Sequence, residues 1–520
     1  MLQFIFTTIV YYRISRSFPK DSDNAVVVLE AQDIVDGNIL LSGWILPGDN
    51  FYTLDIIPYI IFLKFRVPWR TAIDLVPAFI FYFFSMIVIL LSFRYTNNYF
   101  LSLMYFYSLI GFSSSRFLRV LLYSPSHILS LAISLITLYI ISTLFEEGIQ
   151  SKILLFFSFI ITIWINLGDP LTLFFVNYPV ILYSFYSFVR HKHKYRGRFK
   201  YIIILIIMIM AILVSKKLLK VIEVSGGFKT LPISHKFGDV KYALKSIILY
   251  VVSLLDTLNV HVDIYLDVLH YNIPVYVPVT LRFLFSLSRI AFISYIFYNI
   301  IAQLKNRYVK EKASFSILPL SIISFLMLTL AFILSGSPKN ILSARFFVIF
   351  PVSILIALSL IRPVEKRRIK IPLLVFNLIF MFETAFYFFA PPWKYGREKA
   401  LLRFLEDKHL TTGIAPYWDS YILTVLSDGK IKVRSVKACG KQRIKPDDFL
   451  SNSIWYRMEQ FSFALCSSAN DDCNDFYKRF INTLGKPDEI DTMHDYFVFI
   501  YKKHPIRFND PINCDLDRLE

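Results

Sequence analysis

The sequence predicts a polytopic α-helical membrane protein that ends in a small extracytoplasmic α/β domain. Only 18% of its 520 residues are charged, whereas soluble domains carry about 25%. Mean hydropathy is +0.54. Long apolar runs alternate with short basic clusters as far as Pro391, and the composition becomes more polar after it. We therefore expect a transmembrane domain over residues 1–391 and a second domain over residues 392–520.

The apolar runs predict about eleven transmembrane helices, since each helix needs about 20 mostly apolar residues. The first run lacks a basic start and a small-residue cleavage site, which favours a retained helix over a signal peptide. We expect the spans at roughly 2–16, 72–93, 99–114, 126–145, 152–167, 170–189, 200–215, 279–303, 314–334, 344–361 and 370–390.

The basic clusters predict the orientation, because short cytoplasmic loops carry an excess of Lys and Arg. With a cytoplasmic N-terminus, the clusters RHKHKYRGRFK (190–200) and RPVEKRRIK (362–370) both fall inside. The C-terminal domain then lies outside. The net charge of +18 thus reflects topology, and no basic groove interleaved with aromatic residues indicates a nucleic-acid partner.

Two long outer loops follow from this orientation, over residues 17–71 and 216–278. The first holds seven carboxylates between Asp21 and Asp55. Within it, Glu30 and Asp33 are three residues apart, which is typical of a solvated helix face. In the second loop, residues 245–258 and 260–270 show helical periodicity, which predicts helices at the membrane surface.

The tail predicts an α/β domain. Residues 397–409, 418–426 and 475–484 show helical periodicity, and GIAPY, KIKVRSV, FSFALC and YFVFIYKK are typical of strands. All four cysteines lie in this tail, which indicates disulfides in an exterior domain. Cys466–Cys473 is the expected local pair. A zinc site is the alternative, although the spacing is not C-x-x-C.

The predicted exterior site restricts the chemistry. Nucleotide-sugars and ATP are cytoplasmic, and the sequence has no phosphate-binding glycine motif in a strand–turn–helix setting. An exterior transferase would therefore take its sugar from a lipid phosphate. Such a reaction needs a carboxylate to accept the proton of the acceptor hydroxyl and cations to stabilise the departing phosphate. The residues indicate no metal centre, and a divalent metal stays an open cofactor.

Asp23 is the best candidate for the base. It precedes the helical pattern over residues 25–35, so the macrodipole at the helix N-terminus would favour its ionised form. The alternative is that Asp23 serves only as the N-cap. Asp55 is the second candidate, and its alternative role is that of a solvated helix-start residue.

Three further residues are candidates for substrate binding. Asp169 lies in a turn between two spans, where carboxylates are often functional, although Asp-Pro is also a helix-start signal. His127 is a candidate donor to phosphate or an interfacial residue. Arg345 either binds a substrate phosphate or extends to lipid head groups.

These features resemble the GT-C superfamily of membrane glycosyltransferases, which includes protein mannosyltransferases and aminoarabinose lipid A transferases. Asp23-Asn24 occupies the place of an acidic pair, Gly37-Asn38 that of the helix end, and Asp55 with Pro58 that of a later Asp-Pro element. The segments EAQDIVDGNILLSGW, GDPL, SARFF and APYWDSYILTVLSDG share the resemblance.

The resemblance implies an inverting transferase that moves a sugar from a polyprenyl-phosphate-linked donor to a lipid, glycan or protein acceptor. Asp23 would be the base, Asp55 would position donor or acceptor, and Arg345 would contact the phosphate. Asn24 would lie in the substrate site, although it departs from the acidic pair and leaves one carboxylate.

Two other functions remain as alternatives. A transporter or flippase of lipid-linked glycan would place ionisable groups near the bilayer midplane, and the predicted spans hold few, Asp74 near one end being the clearest. A polymerase or ligase of surface polysaccharide would use a diphosphate-linked donor and release a lipid diphosphate.

Overall fold

The computed structural model of the chain describes residues 2–147, 151–190, 195–231, 238, 240–260, 277–305, 317–335, 345–360, 366–440, 442–468 and 473–508. Up to Phe389 these residues are almost entirely helical. The helices there are α1 Leu2–Ser15, α2 Ser22–Val35, α3 Ile56–Lys64, α4 Trp69–Thr96, α5 Tyr99–Phe106, α6 Ser115–Leu121, α7 Ile128–Glu147, α8 Lys152–Gly168, α9 Tyr178–Arg190, α10 Tyr195–Val224, α11 Val240–Thr257, α12 Val279–Lys305, α13 Ile317–Leu334, α14 Ile349–Leu360 and α15 Lys366–Phe389. Two π-helical turns, Tyr107–Gly111 and Leu173–Asn177, follow α5 and precede α9.

The helices confirm a helical membrane protein but correct the number of spans. Within the described ranges, six helices are long and apolar enough to cross a membrane. They are Trp69–Thr96, Ile128–Glu146, Phe199–Val224, Thr280–Ile301, Ile317–Leu334 and Lys370–Phe389.

The prediction of eleven spans was wrong because an apolar run in the sequence does not set the length of a helix. Three apolar helices, at Tyr99–Gly111, Lys152–Gly168 and Arg345–Leu360, are shorter than the six. The first predicted span is the 14-residue helix α1, about 21 Å long at 1.5 Å per residue. The run predicted at 170–189 is divided between a π-helical turn and the 13-residue α9.

The predicted outer loop 216–278 begins later than expected, because α10 continues without a break to Val224. A short strand, β2 (Lys229–Thr230), follows it. The helix α11 agrees with the periodicity over residues 245–258. The second expected helix, over residues 260–270, lies outside the described residues except for Val260.

The C-terminal region forms the predicted mixture of helices and strands. Its helices are α16 Gly396–Asp407, α17 Tyr417–Leu426, α18 Ser453–Met458 and α19 Cys473–Leu484, and its strands are β3 Thr412–Pro416, β4 Lys432–Cys439, β5 Arg443–Pro446, β6 Ser451–Asn452, β7 Phe463–Ser467, β8 Glu489–Met493 and β9 Tyr496–Ile500. Six strands form one sheet in the order β5-β4-β3-β7-β9-β8. The β3 strand pairs in parallel with β4 and β7, and the outer pairs are antiparallel.

The disulfide between Cys466 and Cys473 is present, as the spacing predicted. It joins β7 to the first residue of α19. Cys439 at the end of β4 is disulfide-bonded as well. These bonds reinforce a domain whose sheet strands are mostly five residues long or shorter.

A second, three-stranded sheet joins distant parts of the chain. Its central strand, β1 (Trp44–Leu46), pairs in parallel with β2 and antiparallel with β6. Asp33 stabilises this junction, because its Oδ2 accepts hydrogen bonds from Trp44 Nε1 at 2.7 Å and from Asn452 Nδ2 at 3.2 Å. The expectation of a solvated face at Glu30 and Asp33 was therefore wrong. Glu30 is 3% exposed.

Candidate functional site

A cavity of about 250 Å³ lies where α2, the segment after β1 and the C-terminal domain meet. The residues that line it are Asp23, Val26, Val27, Glu30, Pro47, Asp49, Asn50, Phe51, Tyr123, Pro125, Arg345, Phe449 and Leu450. It thus combines three carboxyl groups and one guanidinium with an apolar wall. The predicted candidates Asp23 and Arg345 line this same cavity.

The start of α2 explains why Asp23 faces the cavity. The N-cap is Asp21, which accepts a hydrogen bond from the backbone N–H of Asn24, and the Asn24 side chain accepts one from the backbone of Asp21 in return. This capping box satisfies donors at the helix start. Asp23 is therefore not the N-cap, and its carboxylate is free for other contacts.

Two tyrosines hold the Asp23 carboxylate. Tyr417 donates its hydroxyl to Asp23 Oδ1 at 2.6 Å, and Tyr123 donates to Asp23 Oδ2 at 3.3 Å. The Tyr123 hydroxyl also lies 3.2 Å from Asp21 Oδ1. Tyr417 is the first residue of α17, and its backbone carbonyl accepts a hydrogen bond of 2.5 Å from Ser22 Oγ. The C-terminal domain thus contributes directly to the position of Asp23.

Asn24 has a different environment from the one that its place in the motif implied. It is 1% exposed, and its Nδ2 donates to the carbonyl oxygen of Ser124 at 2.9 Å. Together with the capping box, this contact gives the Asn24 side chain a structural role beside the cavity. Asn24 is not among the residues that line the cavity.

The segment between β1 and α3 is fixed against the end of α8. The backbone N–H of Phe51 donates to the Gly168 carbonyl at 2.7 Å, and Asn50 Nδ2 donates to the Leu167 carbonyl at 2.9 Å. These contacts bring Asp49 to the cavity wall and place Asp55 near the turn that carries Asp169.

His127 and Asp169 form a buried pair directly behind the cavity wall. His127 Nδ1 lies 2.7 Å from Asp169 Oδ2, and the two side chains are 3% and 0% exposed. Burial alone would raise the pKa of Asp169, but the charge and hydrogen bond of His127 lower it below its usual value. The other nitrogen, His127 Nε2, lies 3.9 Å from Asp49 Oδ2. It makes no hydrogen bond with the described residues.

Asp55 lies beside this pair and does not line the cavity. It is 1% exposed, occupies the N-cap position of α3 without a side-chain capping bond, and has no partner of normal hydrogen-bond geometry among the described residues. Burial raises the pKa of Asp55 to about 7, with His127 opposing the shift and Asp169 adding to it. The carboxyl group of Asp55 is therefore mostly neutral below about pH 7 and ionises above it.

Arg345 supplies the positive charge of the cavity. Its Nε is buried without a hydrogen-bond partner in the described structure, and its guanidinium carbon lies 5.1 Å from the centre of the Phe346 ring. An unpaired donor of a guanidinium group is suited to an oxyanion, which accepts charge-assisted hydrogen bonds.

Sequence reasoning did not select four polar residues of the site, namely Glu30, Asp49, Tyr123 and Tyr417. The PGDN turn at residues 47–50 signals that Asp49 leaves the strand at a loop. Nothing local links Tyr417 to a residue 394 positions earlier. Burial raises the pKa of Glu30 well above its ordinary value, so this group can donate a proton to a hydrogen bond.

The described residues contain no group of three His, Cys, Asp or Glu side chains arranged to hold a metal ion.

The fold and the cavity define a helical membrane protein whose charged site is built jointly by α2, the segment after β1 and the C-terminal domain. Comparisons of the chain with protein-family models, with curated proteins and with solved structures found no match. The GT-C resemblance therefore stays a prediction.

Proposed function

We propose that this protein is an inverting membrane glycosyltransferase that moves a sugar from a polyprenyl-phosphate-linked donor to an extracytoplasmic lipid, glycan or protein acceptor. The observation that carries the proposal is the shared cavity of Asp23 and Arg345. The reaction needs a carboxylate to accept a proton and a cation to stabilise the phosphate, and both kinds of group line this cavity.

Asp23 would act as the general base. Its carboxylate is half-buried and oriented by the hydroxyls of Tyr417 and Tyr123. It would take the proton of the acceptor hydroxyl while that oxygen bonds to the anomeric carbon. The bond from this carbon to the phosphate oxygen breaks, and its electron pair stays on the phosphate. Attack from the opposite face inverts the configuration.

Arg345 would bind the donor phosphate and stabilise the charge that develops on it. The lipid chain would extend from the cavity into the bilayer, where many apolar side chains of the helices are exposed. Phe449 and Leu450 would contact the sugar or acceptor from the domain that carries Tyr417.

The basic clusters support an extracytoplasmic site. The loop that begins with α2, the turn at residues 123–126, the turn at residues 168–170 and Arg345 meet around the cavity. The helices α10 and α15 each begin at a basic cluster. Both end on the side of this loop, where the backbone N–H of Phe228 donates to the Leu40 carbonyl and that of Lys20 donates to the Tyr395 hydroxyl. We therefore propose that the protein is inserted in the cell membrane with a cytoplasmic N-terminus and an exterior C-terminal domain. Opposite sides for the two ends require that an odd number of the shorter apolar helices cross the membrane together with the six long ones.

Asp23→Asn tests the base directly. The full-length protein in lipid nanodiscs would receive a panel of polyprenyl-phosphate sugars, and release of polyprenyl phosphate would be measured. Removing a general base lowers the rate by about 10²- to 10⁴-fold, and we expect a loss in that range. Asp36→Asn is the matched control, because Asp36 is exposed at the end of the same helix and bonded to Gln32.

Full activity of Asp23→Asn would overturn the assignment of the base. Release of a lipid diphosphate in place of a monophosphate would instead favour the polysaccharide polymerase or ligase. Movement of labelled lipid across the bilayer without release of either product would favour the flippase.

A further inference from the structure

We propose that Asp49 and His127 share one proton at the cavity wall and that Asp49 delivers this proton to the departing phosphate oxygen. This inference rests on the proposed function, since it concerns the leaving group of that reaction. It adds Asp49 as a second catalytic residue and makes His127 and Asp169 its positioning residues.

The geometry begins with the fixed ring of His127. Asp169 holds Nδ1 at 2.7 Å, and the ring packs against Phe51 and Phe346 with centroid distances of 5.1 and 5.5 Å. A carboxylate bonded to one ring nitrogen fixes the tautomer and directs the other nitrogen. Nε2 is thereby directed to Asp49, and it is a buried polar atom without another partner among the described residues.

Asp49 connects this nitrogen to the cavity. Its Oδ2 lies 3.9 Å from Nε2, and its side chain is 36% exposed. The separation exceeds a direct hydrogen bond, but a small rotation of the Asp49 side chain would bring the two atoms within hydrogen-bond distance. Asp49 is therefore the only member of the Asp169–His127–Asp49 series that lines the cavity.

The surrounding charges favour one shared proton. Burial raises the pKa of Asp49, His127 and Arg345 oppose this shift, and Asp169 adds to it. Asp55 contributes a further carboxyl group next to His127. The other ionisable groups at the cavity are Asp23, Glu30 and Tyr123.

The step balances in protons and electrons. Cleavage of the bond to the anomeric carbon leaves its electron pair on the phosphate oxygen, and the carboxyl group of Asp49 transfers its proton there. Asp49 is then a carboxylate beside neutral His127, while Asp23 holds the proton of the acceptor. After product release, Asp23 loses its proton to solvent and the Asp49–His127 pair regains one.

Binding of the product tests this idea without knowledge of the sugar. The full-length protein in nanodiscs would be titrated with undecaprenyl phosphate at a series of pH values from 4 to 8, with inorganic phosphate as a second ligand. The ionised form of Asp49 repels the phosphate, whereas the protonated form donates a hydrogen bond to it, so binding should strengthen as the pH falls. The Kd of Asp49→Asn is divided by the Kd of the unchanged protein at each pH. We expect this ratio to rise about tenfold as the pH falls through the transition, equivalent to one strong hydrogen bond.

His127→Gln provides a second measurement, because it removes the proton-sharing partner and should move the pH of this binding transition. The free phosphate itself titrates near pH 6, and this contribution of the unbound ligand is the same for every variant. Asp36→Asn should behave like the unchanged protein. The melting temperature of each variant would also be measured, so that a loss of binding can be distinguished from a loss of stability.

The outcomes separate the two proposals. A ratio for Asp49→Asn that is constant with pH, together with an unmoved transition in His127→Gln, would refute the shared proton. In that case, weaker binding by Arg345→Gln would still uphold the phosphate site. No preference for undecaprenyl phosphate over inorganic phosphate in the unchanged protein would refute the proposed function itself.

Discussion

Tyr417 links the C-terminal domain to the carboxylate of Asp23 through a hydrogen bond of 2.6 Å. A hydrogen bond to a charged group contributes about 1.5–3 kcal/mol. We therefore expect Tyr417→Phe to lower the kcat of the proposed transfer reaction by about ten- to a hundredfold, with little change in the KM of the proposed lipid-linked donor. Steady-state kinetics would measure both parameters.

Tyr421→Phe is the matched control, since Tyr421 lies one turn further along α17 and does not line the cavity. An equal loss of kcat in both variants would contradict a specific role for Tyr417. It would indicate that the tyrosines act only through the packing of α17 on α2.

Asp55 makes the stability of the protein depend on pH. Its pKa is raised from 3.8 to about 7 by burial, so between these values the folded state binds a proton that the unfolded state has released. The free energy of unfolding therefore falls as pH rises from about 4 to about 7, by at most about 4 kcal/mol. Above pH 7 Asp55 is ionised in both the folded and the unfolded state, so its contribution to the free energy of unfolding no longer changes with pH.

Asp55→Asn should remove this pH dependence, because the amide cannot ionise, and should raise the melting temperature at pH 8. Thermal unfolding in detergent between pH 4 and pH 8 would measure it. An Asp55→Asn variant with the pH dependence of the unchanged protein would contradict the neutral, buried carboxyl group. Normal transfer by this variant would give Asp55 a structural role, whereas the resemblance predicts loss of activity.

At the level of elements, the contact between the segment after β1 and the end of α8 depends on a glycine. A Cβ at Gly168 would lie 2.7 Å from Thr53 Oγ1 and 2.9 Å from Leu54 Cδ1. We expect Gly168→Ala to displace the segment that carries Asp49 and Asp55, lowering both transfer activity and melting temperature. Overpacking of this kind costs about 1–3 kcal/mol.

Gly396→Ala is the control, because a Cβ there would meet nothing within 4 Å and alanine favours the helix α16. It should leave activity unchanged. Equal activity of Gly168→Ala and Gly396→Ala would show that the segment tolerates a shift at its contact with α8.

The sequence was sufficient to predict those helices and strands that have a local pattern of apolar residues. Apolar periodicity predicted α2, α11 and α17, and alternation predicted β3, β4, β7 and β9. The strands β1, β2 and β6 have two or three residues each, too few for an alternating pattern. Their pairing is set by tertiary contacts.

The site was predictable only in part, because contacts between distant segments leave no local pattern in the sequence. The position of Asp23 at a helix start followed from its local sequence, but the identity of the N-cap depended on which of two neighbouring carboxylates bonds Asn24. The contacts of Tyr417 and Asp49 join distant segments. The predicted number of transmembrane helices was wrong because hydropathy does not show where an apolar helix ends.

On the scale of the whole molecule, a buried ion pair joins membrane helices. Arg289 of α12 lies 3.1 Å from Glu383 of α15, and the side chains are 1% and 0% exposed. Arg289 also donates to the carbonyls of Ser108 and Phe112, at the π-helical turn after α5. Three separate segments of the bundle thus depend on one guanidinium.

Breaking such a pair by removing one partner costs about 3–5 kcal/mol, whereas replacing both by apolar residues is often neutral. We expect Arg289→Leu and Glu383→Leu each to reduce the stability of the purified protein strongly, and the double variant to regain part of it. Melting temperatures of the four proteins would give the coupling energy. Additive losses would show that the two charges act independently.

The small sheet of β1, β2 and β6 also has a consequence for biogenesis. The ribosome adds Tyr417 394 residues after Asp23, and β6 follows later still. A nascent chain therefore inserts its helices while its first strand lacks one neighbour and while Asp23, the proposed base, lacks the hydroxyl of Tyr417. Catalytic competence would be acquired only near the end of synthesis, so partial translation products should be inserted but inactive.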